Sequence, residues 1–174
     1  NRVNIAKESF RELFPATPLQ KNEYLSKKFK ADIFLKREDL SPVRSYKIRG
    51  AFNAMRTAIK SNQNVQTFVC ASAGNHAQGV AFMCKNLDVK GFVFMPVTTP
   101  KQKIDKTLAF GGENIELRLT GDYFDDTLKS AIAFSRKSKS IFLPPFDRDI
   151  CTCMPVPLSP TNGLGINVAV FPYA

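Results

Sequence analysis

The chain has 174 residues, 44% of them hydrophobic and 23% charged, enough for one domain with a sizeable core or one domain and part of another. No apolar stretch is long enough to cross a bilayer and no basic segment followed by an apolar one opens the chain, which leaves no membrane partner and a cytoplasmic protein as the expectation. The formal net charge of +10 is spread over Lys27, Lys28, Lys30, Lys101, Lys103, Lys106, Arg136, Lys137 and Lys139. These are mixed with acids and not interleaved with aromatics, so they read as solvated faces and no nucleic-acid partner is expected.

In chain order, Ile33 to Lys36 reads as a strand, followed by a charged turn at Arg37, Glu38 and Asp39. Tyr46 to Ile59 places Ile48, Ala51, Phe52, Met55, Ala58 and Ile59 on one helical face. Phe68 to Ala71 reads as a buried strand, and Asn75 to Leu87 as a helix capped by Asn75, with Ala77, Val80, Ala81, Cys84 and Leu87 inward. Gly91 to Met95 is the next strand, closed by Pro96. Pro100 suits the first turn of a helix to Phe110 that Gly111 and Gly112 end. Ile115, Leu117 and Leu119 alternate as a strand does. Asp122 or Asp125 is the expected cap of a helix carrying Phe124, Leu128, Ala131, Ile132 and Phe134, and Ile141 to Leu143 is the last strand. This repeated β-α order predicts an α/β fold, a parallel sheet with right-handed crossovers and helices on both faces. Ligands of such sheets bind beyond the carboxyl ends of the strands, where Ser72 to Asn75 fall.

Two runs carry the candidate chemistry. Lys47, in Ser45-Tyr46-Lys47-Ile48-Arg49-Gly50, follows a strand and turn just as a helix begins, a place from which its amine can enter a cleft. By itself it is one of 25 lysines and arginines, most of which face water. Ser72-Ala73-Gly74-Asn75-His76-Ala77-Gln78-Gly79 describes a tight strand-to-helix turn whose free backbone N–H groups can hold an anion; its bland alternative is a well-capped turn and nothing more. Of the four cysteines, Cys70 falls in a strand, Cys84 on a helix, and Cys151 and Cys153 in the tail. Cys-x-Cys without a partner pair or a histidine is poor evidence for zinc, and no metal site is expected.

Taken together, the runs resemble the fold-type-II pyridoxal-phosphate enzymes and, within them, the threonine deaminases, with serine dehydratase and serine racemase as near relatives. The motifs that carry the resemblance are Lys36-Arg37-Glu38-Asp39, Ser45 to Gly50 and Ser72 to Ala81, with Thr17-Pro18-Leu19, Met95-Pro96, Lys103 to Gly112, Thr120-Gly121-Asp122 and Pro144-Pro145-Phe146-Asp147, in family order over about residues 3–147. The resemblance implies a tryptophan-synthase-β-like fold and pyridoxal 5'-phosphate as cofactor. It implies conversion of L-threonine to 2-oxobutanoate and ammonia in isoleucine biosynthesis. Lys47 would be the Schiff-base lysine and the base that removes the α-proton, which requires a pKa well below its usual ~10.4. Asn75 would meet the cofactor's 3-oxygen, Tyr46 would pack beside the ring, and Ser72, Ala73, Gly74, Asn75 and His76 would bind the substrate carboxylate. His76 itself reads as a capping or packing residue ahead of an acid-base one. Serine racemases resemble this run but carry a second serine where Ala73 stands; alanine has no proton to give, so elimination without racemisation is expected.

The resemblance also implies domain boundaries. Residues 1–59 would be the N-terminal part of the large cofactor domain, incomplete here, 60–146 the small α/β domain, and 147–174 a divergent, irregular tail. From Ile150 to Ala174 no residue is charged and prolines stand at 155, 157, 160 and 172. The family's glycine-rich phosphate loop and the Ser, Thr or Cys at the pyridine nitrogen have no counterpart, so the chain reads as a truncated form. The alternative is a catalytically inactive fragment or an interaction module. Self-association into a homo-oligomer stays open.

Overall fold

A computed structural model describes residues 2–145 and 166–172, with only the backbone of 2–5 and 166–172 described. The chain forms two compact units, one of residues 1–46 with 154–174 and one of 47–153. The division therefore falls before Lys47, where the sequence reading put it at residues 59 and 60.

The first unit contains helix α1 (Arg2–Leu13), strand β1 (Leu19–Lys21), helix α2 (Glu23–Phe29) and strand β2 (Ala31–Arg37), followed by a single 3-10 turn at Glu38–Leu40. α1, β1 and α2 were not anticipated. In α1 the buried side chains Ala6 and Phe10 are four residues apart, on one face. α2 is closed locally at both ends: Asn22 Oδ1 accepts from the Leu25 N–H at 2.9 Å, and Lys30 ends the helix at φ 49°. β2 alternates buried Ala31 and Ile33 with less buried neighbours and pairs antiparallel with β1.

The Lys36 to Asp39 motif is structural at every residue the geometry explains. Lys36 Nζ donates to the Thr17 carbonyl, Glu38 accepts from Thr17 Oγ1 at 2.7 Å in a buried setting, and Arg37 forks onto both oxygens of Asp39. The guanidinium holds the Asp39 carboxyl below its usual range, and the carboxylate raises Arg37 in turn. Two of the family-like motifs, Thr17 and Lys36 to Glu38, are thus one tie between a loop and a strand.

The tail expected to be irregular contains strand β7 (Ile166–Pro172), which pairs antiparallel with β2 along its whole length, from Ile166 opposite Arg37 to Pro172 opposite Ala31. The physical reason is its alternation of β-branched residues at Ile166, Val168 and Val170, which the upstream prolines obscured in the sequence.

The second unit opens with α3 (Lys47–Ser61), then β3 (Thr67–Ala71), α4 (Asn75–Asn86), β4 (Lys90–Met95), α5 (Lys101–Gly111), β5 (Ile115–Leu119), α6 (Phe124–Lys137) and β6 (Ile141–Phe142). Its four strands are parallel in the order β5-β4-β3-β6. Val69, Ala71 and Phe94 pack with Ala131 of α6, and Phe92, Leu128, Phe134 and Phe142 complete that layer. The opposite face meets α4, where Gly91 makes room for the Cys84 sulfur: a Cβ there would lie 2.5 Å from Sγ. Helices therefore cover both faces, as the sequence predicts.

Two local expectations are corrected. Asn75 is the first helical residue of α4 and Gly74 its N-cap, with no side-chain cap bond. Neither Asp122 nor Asp125 caps α6; Tyr123 is the N-cap, and buried Thr127 Oγ1 fixes the entry by donating to the Thr120 and Tyr123 carbonyls at 2.7 and 3.1 Å. Phe124 is exposed, and so is Leu119 on the edge strand β5.

Candidate active site

The strand order locates the site. β3, β4 and β5 step one way across the sheet, and α6 carries the chain back to place β6 on the other side of β3. The order reverses between β3 and β6, so the crevice opens past their carboxyl ends, between the loops that follow them. Backbone bonds hold β3 on both sides at that end: Ser72 N–H donates to Phe94 O at 3.0 Å and Leu143 N–H to Val69 O at 2.7 Å.

The loop after β3 is the turn Ser72 to Gly74. Ser72 Oγ accepts from the Gly74 N–H at 3.1 Å, which closes the turn and leaves the hydroxyl proton to donate elsewhere. Gly74 has open space before it, since a Cβ built there meets nothing within 4 Å. α4 then starts with no side-chain cap, so the positive end of its dipole faces that space. Ser72, Ala73, Gly74 and Asn75 are all half-buried. The arrangement fits a carboxylate or phosphate oxygen.

Lys47 begins α3, and its Nζ donates to the Pro145 carbonyl, in the loop after β6, at 2.9 Å. α3 packs on α4 at Gly79, where a Cβ would lie 3.2 Å from the Lys47 carbonyl carbon. That close approach brings the lysine to the crevice; no sequence spacing shows it. His76 is buried, 7% exposed, and its Nε2–H donates to the Leu143 carbonyl at 3.1 Å. Burial pushes its pKa down to about 4, the Leu143 bond opposes this, and the nearby Lys47 charge adds to it. The imidazole is therefore neutral near pH 7. Tyr46 is half-buried and precedes Lys47 as the last residue of the first unit.

Of the sequence candidates, the second unit brings together Lys47, Ser72, Ala73, Gly74, Asn75 and His76 around one crevice. The sequence reading missed the Leu143 and Pro145 carbonyls and the role of Gly79; the one signal for the first two was a proline pair directly after the last strand. Phe146 and Asp147, like Cys151 and Cys153, lie outside the described residues. Cys70 and Cys84 are buried free thiols, and burial pushes Cys84 up to about 12, so neither is a nucleophile here. Among the described residues no group of acids, histidines and cysteines could hold a metal ion, and no helix is long and apolar enough to cross a membrane.

The sequence profile described as "Pyridoxal-phosphate dependent enzyme" aligns with residues 11–156. The chain belongs to this family. Over 147 residues it is 48% identical to L-threonine dehydratase biosynthetic IlvA of Halalkalibacterium halodurans, a match covering 84% of this chain and 35% of that protein. The protein of the same name from Bacillus subtilis is 48% identical over 142 residues, covering 82% and 33%. Among solved structures, the processed form of threonine deaminase isoform 2 from Solanum lycopersicum superposes with a TM-score of 0.73 at 37% identity, covering 80% of this chain and 37% of that one. The chain thus spans about a third of the length of these relatives.

Proposed function

We propose that this chain carries the covalent cofactor lysine and the substrate-carboxylate turn of a threonine deaminase, which converts L-threonine to 2-oxobutanoate and ammonia. The observation that carries the reading is the Lys47 amine at the switch-point crevice, beside the uncapped start of α4 and the open space at Gly74. The names of the relatives support threonine as substrate and a biosynthetic role.

The residues present fit the aldehyde side of pyridoxal phosphate: Lys47 supplies the amine that would hold its aldehyde carbon, Asn75 an amide within the turn to meet a ring oxygen, and Tyr46, next to Lys47 in the chain, an aromatic neighbour. When bound, the group supplies an electron-withdrawing ring that stabilises negative charge at the substrate α-carbon. The backbone N–H groups at the start of α4 and the Ser72 hydroxyl bind the substrate carboxylate, which the helix dipole favours. Once the substrate amine has displaced it from the aldehyde carbon, Lys47 Nζ would take the α-proton; the β-hydroxyl leaves with a proton as water, and water then hydrolyses the released enamine to 2-oxobutanoate and ammonia. His76, neutral and committed to Leu143 O, adds no charge to the carboxylate site. Ala73 has no proton to return to the opposite face of the α-carbon, so L-serine would be eliminated and not racemised.

The test is chemical trapping. The chain incubated with excess pyridoxal phosphate and reduced with sodium borohydride should carry a phosphopyridoxyl group on Lys47, located by peptide mass spectrometry and absent from Lys47→Ala. Absence of that label on Lys47 at saturating cofactor would sink the proposal and leave the chain as an inactive piece or an interaction module.

A further inference from the structure

The segment Leu143-Pro144-Pro145 has no part in the function proposed above, yet two residues of the family-like motifs grip it. His76 Nε2–H donates to the Leu143 carbonyl and Lys47 Nζ to the Pro145 carbonyl. Leu143 is also fixed from its amide side by Val69 O and is itself buried. Between the two gripped carbonyls the chain has little freedom. Pro144 and Pro145 each lock φ near about −65° and carry no N–H, and a residue that precedes proline is confined to extended conformations.

We propose that His76 is a positioning residue for Lys47, acting through the Leu143-Pro144-Pro145 arm: His76 fixes the Leu143 carbonyl, and the stiff arm presents the Pro145 carbonyl to the lysine amine. This rests on reading Lys47 as the reactive amine. The arm holds Nζ at the mouth of the crevice on a neutral acceptor. When the amine is used, Pro145 O gives up its donor while the His76 bond keeps the arm in place, ready to take the amine back.

Cofactor-free protein tests the arm independently of the deaminase proposal. Brief acetylation with acetic anhydride, read lysine by lysine by mass spectrometry, compares Lys47 with exposed Lys101 and Lys103 in the same chain. His76→Leu should speed Lys47 acetylation about fivefold over those references, the weight of one hydrogen bond, and His76→Gln, whose side-chain amide can still donate to Leu143 O, should restore protection. A second variant, Pro144→Gly with Pro145→Gly, leaves the core untouched, loosens the arm and should give the same selective rise. If His76→Leu unfolds, all lysines rise together and the glycine pair decides. The proposal is overturned if Lys47 acetylation in the folded variants stays within about twofold of the parent, less than the loss of one hydrogen bond would give. That outcome leaves borohydride trapping untouched, and failure of trapping leaves the acetylation pattern untouched, so the two readings can fail separately.

Discussion

Gly79 of α4 lies against the backbone of Lys47 at the start of α3: a Cβ added there would stand 3.2 Å from the Lys47 carbonyl carbon and the Ile48 nitrogen and 3.3 Å from the Lys47 oxygen. Two opposing effects follow from a methyl group. Alanine gains about 1 kcal/mol of helix propensity over glycine, but its Cβ pushes on backbone, which yields poorly. Gly79→Ala should come out near neutral to about 1 kcal/mol less stable in urea unfolding, and Gly79→Val about 2–3 kcal/mol less stable, since its branch must displace α3. Both should lower borohydride-trapped cofactor on Lys47 more than they lower helicity. Gly79→Ala with a full ~1 kcal/mol of added stability and unchanged trapping would show that the contact gives way freely.

His76 makes stability depend on pH in a defined window. Its folded pKa of about 4 lies below the ~6.5 of an unfolded histidine, so above pH ~6.5 both states are neutral and it contributes no slope. As pH falls from there, the unfolded chain takes the proton first and stability drops, by about 3 kcal/mol in all, levelling off below the folded pKa. In urea unfolding between pH 7 and 5, the parent should lose about 2 kcal/mol more than His76→Gln, the difference removing the shared contribution of carboxylates. Equal losses in the two proteins would show that His76 charges without cost.

What was readable in the sequence, and what was not, divides by the range of the interaction. The parallel sheet, its flanking helices and the Ser72 to His76 turn were legible because apolar periodicity and turn chemistry are local. The cap of α6 was misassigned because the bond that fixes its entry, Thr127 to Thr120, depends on how the chain doubles back. β7 was missed because a strand of an antiparallel ladder needs a partner more than 100 residues away in sequence. Lys47 and Ser72 stood out only through the family-like runs they sit in, whereas the Pro145 carbonyl that meets Lys47 is backbone, and no residue identity announces it.

Arg118 braces the sheet edge. Its guanidinium carbon lies 4.2, 4.8 and 5.9 Å from the ring centres of Phe134, Phe92 and Phe94, and Glu116 accepts from its Nε at 2.8 Å. The planar group covers aromatic rings that β5 alone would leave open. Arg118→Ala should cost about 1–2 kcal/mol in urea unfolding, and Arg118→Lys should recover less than half of it, because an ammonium cannot lie flat on the rings. An unchanged midpoint for Arg118→Ala would show that the stacking contributes nothing.

β2 is sandwiched unevenly, and its amides should report which side holds it. Ile33 N–H donates to Ser26 Oγ and Arg37 N–H to Pro18 O, both at 2.9 Å, so these alternate amides face α2 and the β1 side. By the alternation of an antiparallel ladder, the amides of Asp32, Phe34 and Lys36 point to β7. Proline lacks the donor, and of two neighbouring residues in a strand one N–H faces the partner. Val168→Pro with Ala169→Pro must therefore break the β2–β7 ladder whichever residue bonds. Residue-resolved hydrogen exchange should then show loss of protection at Asp32, Phe34 and Lys36, with Ile33, Arg37 and the β3–β4 amides retained. If Asp32, Phe34 and Lys36 stay as protected as Ile33 and Arg37, those amides are held by something other than pairing with the tail.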